Sequence, residues 1–212
     1  GFSPLEMDDY RRQSKTLESI VEYHNMWFVL LGRGEAERVA TGVVSWNYFD
    51  LFGVRPVAGR TFRSSDDAHG ADAVLVLSNA YWNSRFGGDP NVVGQVFEMN
   101  DRPHTVVGVL PPIPQFPDEN DVYMPASACP FRSSEGVRTN RNARMVQAFG
   151  RLRPAATPDA ALSDLAMVAS NLQQAYPENY PTSAGFTATA VSASIVSGLT
   201  VATTISPPSS SG

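Results

Sequence analysis

The sequence predicts an α+β protein. Two amphipathic helices with strong start signals stand near the ends of the chain, short apolar runs bounded by Gly, Pro, Asn and Asp lie between them, and no long internal repeat is present. The expected order is helix, hairpin, short helix, a strand-helix-hairpin segment, then strand, helix and strand.

The first helix is announced by "SPLE" at 3 to 6. Ser3 is the N-cap, Pro4 takes the first helical position and Glu6 completes a capping box. Met7, Tyr10, Leu17, Ile20 and Val21 recur at helical spacing, which extends the expectation to about residue 22. Two apolar runs around Gly32 and Gly34 then suit a hairpin with a long turn. Asn47 is placed to cap a short helix, "YFDLF", and Gly53 to end it in a left-handed conformation. Tyr48, Phe49, Leu51 and Phe52 are expected to be core, because clustered aromatics on a short helix are usually buried.

"ADAVLVLS" at 71 to 78 reads as a strand buried on both faces, and Ser78 as the cap of a helix that stops at Gly87 and Gly88. The clearest hairpin runs from Val96 to Met99, turns at Asn100 and Asp101, and returns from Thr105 to Leu110. Pro111, Pro112, Pro114 and Pro117 force an extended loop before "DVYMP". A strand, "MVQAFGRL", leads to the second long helix, where Thr157 caps and Pro158 opens. Leu162, Leu165, Ala169, Leu172 and Tyr176 then form a stripe that Pro177 ends. "GFTATAV" alternates as a half-buried strand should, and "SPPSSSG" is low complexity.

Composition narrows the function. Hydrophobic residues are 42% of the chain, enough for an ordinary core, and a net charge of −5 with 17% charged residues argues against a phosphate-neutralising surface, so nucleic acid is not an expected partner. Cys129 is the single cysteine, which excludes an internal disulfide, a Cys-rich zinc site and a redox pair. No run of about 18 apolar residues exists, and the N-terminus has no signal-peptide core, so the stretch itself is expected to be soluble, although a segment cut from between membrane spans would look the same.

Catalytic chemistry finds little support. His24, His69 and His104 show no HxH or HExxH spacing, so no zinc or iron site is expected. No Ser sits in a GxSxG elbow, and Cys129 has no histidine beside it in sequence. Asp66, Asp67 and Asp72 form the best acidic cluster, but the twelve-position calcium loop and its terminal Glu are missing, so turn-making is the preferred role. The glycines of "FGGDPNVVG" follow a helix, whereas a phosphate cradle needs them before one. Arg55 and Arg60 flank the turn from Pro56 to Gly59. An anion site is one reading, and guanidinium groups fixing a structural junction is the preferred one.

The runs "SWNYFDLFGVRPVAGRTFRSSDD", "AVLVLSNAYWNSRFGGDPNVVGQVFEMNDRPHTVVGVLPP", "DVYMP" and "FGRLRPAATPDAALSDL" together resemble the MacB-like periplasmic core domain of FtsX-like ABC transporter permeases. The resemblance covers roughly residues 5 to 190 in the family's order, departs from it at "RPAAT", where a glycine is common, and gives nothing past about 195. It implies a non-catalytic extracytoplasmic domain of an inner-membrane protein, between its first and second transmembrane helices. A separate ABC ATPase, a dimer in the full-length protein and a periplasmic adaptor are the partners it implies, with no cofactor or metal. A porter-like subdomain of helices on a mixed sheet is expected over 1–54 plus 140–196, a β-rich inserted subdomain over 55–139, and a disordered tail over 197–212. Gly53, Arg55, Pro56, Gly59 and Arg60 would then be the junction, and Pro114, Phe116 and Asp118 candidate partner contacts. The function implied is coupling of ATP-driven helix motion to substrate export or to a periplasmic partner. The alternative is a small-molecule sensing domain that regulates a permease.

Overall fold

Ser3 starts the first helix as its sequence requires. In the computed structural model, which describes residues 1–31 and 35–181 together with the backbone of strands 187–191 and 202–206, its hydroxyl accepts from the Glu6 amide at 3.2 Å. The Glu6 carboxylate in turn accepts from the Ser3 amide at 2.6 Å. Helix α1 spans Pro4–Gln13 and then stops, short of residue 22. The chain turns at Ser14, Lys15 and Thr16 and enters β1, Leu17–Leu31. Leu17, Ile20 and Val21 fit a helical stripe as well as a strand, and the bonds that catch the turn come from Asp164, some 150 positions away.

The chain falls into two compact units, Gly1–Glu22 with Glu135–Gly212, and Tyr23–Ser134. In the first, α1 is joined by α4 (Glu135–Arg138), β8 (Gln147–Leu152) and α5 (Pro158–Ala175), and β8 lies beside β1. Thr157 caps α5 by accepting from the Ala160 amide at 3.2 Å. Its buried stripe is Ala161, Leu165, Val168 and Leu172, so Leu162 and Tyr176 fall at the rim of the expected face. Leu165, Val168 and Leu172 meet Phe2, Met7, Tyr10, Leu17, Ile20, Val146, Ala148 and Tyr180 in one core. Strands β9 (Thr187–Val191) and β10 (Ala202–Ser206) pair antiparallel, so part of the expected tail is a strand. The terminal "PPSSSG" lies outside the described residues.

The second unit is a closed barrel. Its strands are β1, β2 (Glu37–Val44), β4 (Val74–Leu77), β5 (Val96–Met99), β6 (Arg102–Val109) and β7 (Val122–Pro125), and a two-residue β3 (Ala58–Gly59) adds to β6. Around the ring, β1 pairs antiparallel with β2, β2 parallel with β7, β7 antiparallel with β4, and β4 parallel with β6. Strand β6 then pairs antiparallel with β5, and β5 with the end of β1 through Leu30 with Met99 and Leu31 with Glu98. Each of the six strands has a neighbour on both sides within the ring, which removes the exposed edges of an open sheet. Inside lie Phe28, Leu30, Val39, Val43, Leu75, Leu77, Phe97, Met99, Val106, Val122 and Met124, and α3 (Asn79–Phe86) adds Tyr81 and Phe86 to the same core. Phe86 stacks on Phe97 at 5.5 Å between ring centroids.

Helix α2, Tyr48–Leu51, packs on the outside of this barrel, where Tyr123 alternates away from Val122 and Met124. Phe49 meets Tyr123 edge-on at 5.2 Å, and Tyr48, Phe52 and Phe62 complete the cluster. The expected boundary at 54/55 therefore gives way to one at 22/23. The β1–β2 hairpin closes the barrel and the α2 aromatics are buried against its wall, so residues 23–54 belong with the strands that follow. The same packing puts Gly53, Arg55, Pro56, Gly59 and Arg60 inside the second unit and not at a crossing between the two.

Candidate functional site

Within Tyr23–Ser134 the stretch from Gly53 to Arg60 is a rigid wrap around the barrel wall. Gly53 ends α2 with φ of 67°, as its place in the sequence demands. Pro56 is half-buried and Arg55 exposed. Gly59 has φ of 66°, and its Cα faces the Val107 carbonyl so closely that a Cβ would overlap it, while Gly108 faces the Arg60 backbone in the same way. Two glycines thus let β3 and β6 run antiparallel in close contact. The pair is held by amide bonds from Val57 to the Val109 carbonyl at 2.9 Å and from Arg60 to the Val107 carbonyl at 2.8 Å.

Arg60 then clamps the acidic cluster. Its guanidinium donates to both oxygens of Asp66, at 2.5 and 3.0 Å, and to the Thr61 carbonyl at 3.0 Å. Burial alone would raise the Asp66 carboxyl, but Arg60 and the Arg63 amide hold it below the usual carboxylate range. Asp67 accepts from the Ser127 amide at 2.9 Å and the Trp46 amide at 3.1 Å. Two of the three candidate calcium ligands are therefore engaged with protein donors. Among the described residues no group of three or more His, Cys, Asp or Glu could hold a metal ion.

The proline-rich loop is tied to the aromatic cluster. Tyr48 donates its hydroxyl to the Phe116 carbonyl, Phe52 meets the Phe116 ring at 5.9 Å, and Tyr23 donates to Asp118 at 3.0 Å. Asn120, buried beneath, donates to the Tyr23 hydroxyl at 3.1 Å and the Asp118 carbonyl at 2.9 Å, and Tyr123 donates to Gln115 at 2.5 Å. Pro114 and Asp118 stay exposed and Phe116 half-buried, so the loop offers a fixed outer edge. The inward aromatics fill one another's contacts.

The histidines and Cys129 stand apart as titratable groups without a shared site. His69 is exposed, His24 lies with its Nδ1 3.4 Å from Arg132 Nη1, and His104 is wholly buried on β6. Cys129 is buried, and burial pushes its thiol above the ordinary value, the reverse of what a nucleophile needs. Sequence reasoning missed Asp164. One of its oxygens accepts from the Ser14 and Thr16 hydroxyls, both at 2.8 Å, and from the Lys15 and Thr16 amides at 2.8 and 3.0 Å. No local pattern marks it, since all its partners are distant in sequence. Gly108 was missed too, though a glycine inside a β-branched run is the usual sign of close backbone approach.

What these arrangements share is close backbone contact and clamped carboxylates. Against this geometry, a family model described as the MacB-like periplasmic core domain matches residues 1–168. The chain belongs to this family. Among solved structures, the periplasmic region of MacB from Actinobacillus actinomycetemcomitans superposes with a TM-score of 0.66 at 18% identity, over 82% of this chain and 75% of that one. The extracellular domain of the noncanonic ABC-type transporter YknZ from Gram-positive bacteria gives 0.58 at 15% identity, over 83% and 84%. A domain of a putative permease from Porphyromonas gingivalis gives 0.59 at 18% identity, over 95% and 77%. At these identities the structural likeness shows the α+β fold. No curated protein gives a significant match. Membership makes this a MacB-like periplasmic domain of ABC transporter permeases, a family that is generally non-catalytic. Among the described residues no helix is long and apolar enough to cross a membrane.

Proposed function

We propose that this MacB-like domain is a mechanical relay on the extracytoplasmic side of the inner membrane. It carries movement of its permease's own transmembrane helices to an exported substrate or to a periplasmic adaptor. Hydrolysis of ATP takes place in a separate ABC subunit, and two copies of the permease work as a dimer. The family match over residues 1–168 is the observation that carries this reading. Supporting it, the first unit is made of two separate chain segments and the second of one continuous segment, as a porter-like part and an inserted part would be. The paired glycines and the Arg60 clamp suit a body that must pass on force without deforming, and residues 53–60 serve as an internal strut. Pro114, Phe116 and Asp118, on the tethered loop, are the surface offered to the adaptor.

The test uses the full-length permease with its ATPase in membranes. Trapping the ATPase with nucleotide and vanadate is expected to change amide hydrogen exchange in this domain, while the isolated chain hydrolyses no ATP. Identical exchange with and without trapped nucleotide would refute the relay.

A further inference from the structure

The outer wall of the β1–β2 hairpin is covered over one part of its length and bare over the next. Where Asn25 pairs with Gly42 the wall lies under Tyr123, whose ring a Cβ on Gly42 would approach to 2.6 Å, and Phe49 packs on that ring. Asn25 itself reaches Asp118 of the proline-rich loop at 3.5 Å. Beyond Asn25 the cover ends. Phe28 and Leu30 turn into the barrel core, so the alternation of the strand sends Trp27 and Val29 outward, where they stand 59% and 37% exposed. Ala40 and Arg38 face them in register on β2, and half-buried Leu31 continues the row. An indole beside two aliphatic side chains is a large apolar strip to leave in water, and such strips mark contact surfaces.

Two charges flank the strip on opposite sides. Arg38, on β2, is exposed and lays its guanidinium over the Trp27 ring, 4.9 Å from the centroid. Glu98, on β5, is exposed and pairs in register with Leu31 across the other edge of β1. Among the described residues neither joins an ion pair, and Glu37, the carboxylate next to Arg38 in the chain, is held by Arg85 at 2.5 Å. A cation on one flank, an anion on the other and an apolar row between them make a surface complementary to itself. A two-fold axis lying in the contact plane along β1 carries Arg38 of each copy over Glu98 of the other, and sets Trp27 and Val29 against their own copies. A partner of one sign would be attracted on one flank and repelled on the other.

We propose that this face, with Trp27, Val29 and Leu31 between Arg38 and Glu98, is the contact through which two copies of this chain pair. It gives the permease dimer of the proposed function a contact on this domain and rests on that reading for its place in the full-length protein. The pairing itself belongs to the chain. A strip this small suits a transient pair, with a dissociation constant on the order of 0.1 mM.

Sedimentation equilibrium of the chain from about 10 µM to about 1 mM tests it, under reducing conditions. The wild type is expected to dimerise over this range. Trp27→Glu, Arg38→Glu and Glu98→Arg should each weaken the dimer by about tenfold or more, because each puts a charge into the apolar row or sets like charges against each other. The double variant Arg38→Glu with Glu98→Arg restores opposite charges on the two flanks and should return the constant to within about threefold of wild type. All three side chains are exposed, so the variants should keep the circular dichroism of the wild type. If Trp27→Glu does not fold, the charge exchange decides alone. A wild type still monomeric at about 1 mM, a dimer indifferent to the single charge reversals, or a double variant no tighter than the singles overturns the proposal. The relay stands or falls separately, since its hydrogen-exchange test compares nucleotide states of the full-length permease and does not ask which face the copies share.

Discussion

Single carboxylates and glycines hold this domain in shape. Asp164 receives four hydrogen bonds at one oxygen, two of them from backbone amides that have no other role than to end α1 and start β1. Asp164→Ala leaves those half-buried donors to water and is expected to cost about 1–2 kcal/mol, seen as a lower midpoint in urea. Gly59→Ala faces both a left-handed φ and overlap with the Val107 carbonyl, and is expected to cost more than about 2 kcal/mol by the same measurement. Both Asp66 and Asp164 lie below the ordinary carboxylate value of 3.8 in the folded chain. The unfolded state therefore takes up their protons first as the pH falls. The stability they contribute is present above pH 3.8 and is lost as acid carries the pH down through their folded values. Replacing Asp164 with Asn should flatten part of that acid loss.

At the scale of elements, what was legible in the sequence was local. Ser3 with Glu6, Ser78 and Thr157 all cap helices from within three residues, and each does so in the structure. The turn at Asn100 and Asp101 is equally local, with φ of 48° and 61°, the left-handed pair that a two-residue hairpin requires. Asp101 carries a Cβ penalty there, so Asp101→Gly is expected to stabilise the domain by about 0.5–1 kcal/mol, measured as a rise in melting temperature. The end of α1 was not legible, because Leu17, Ile20 and Val21 satisfy helix and strand periods alike and the deciding partner, Asp164, is far along the chain. Asn47 illustrates the limit of a cap signal, since its side chain makes no capping hydrogen bond although the helix follows it.

Over the whole molecule, the decisive contacts are the pairings that no local pattern records. The barrel closes because β2 meets β7 and β5 meets β1, strands some 70 to 80 positions apart, and that closure moves residues 23–54 into the second unit. The family of the domain was readable from the resemblance of long runs such as "GQVFEMNDRPHTVVGVL", which the family match over residues 1–168 bears out. In the geometry the acidic cluster is clamped, the lone thiol is buried and the aromatics pack on one another. A relay needs such stiffness. Its most direct test places a spin label on Val96→Cys, at a position 59% exposed, in a Cys129→Ala background of the full-length permease with its ATPase. Distances between the labels of the two copies are measured by pulsed electron resonance with and without trapped nucleotide. A shift in the distance distribution on trapping is the expected result, and the same distribution in both states would contradict the relay.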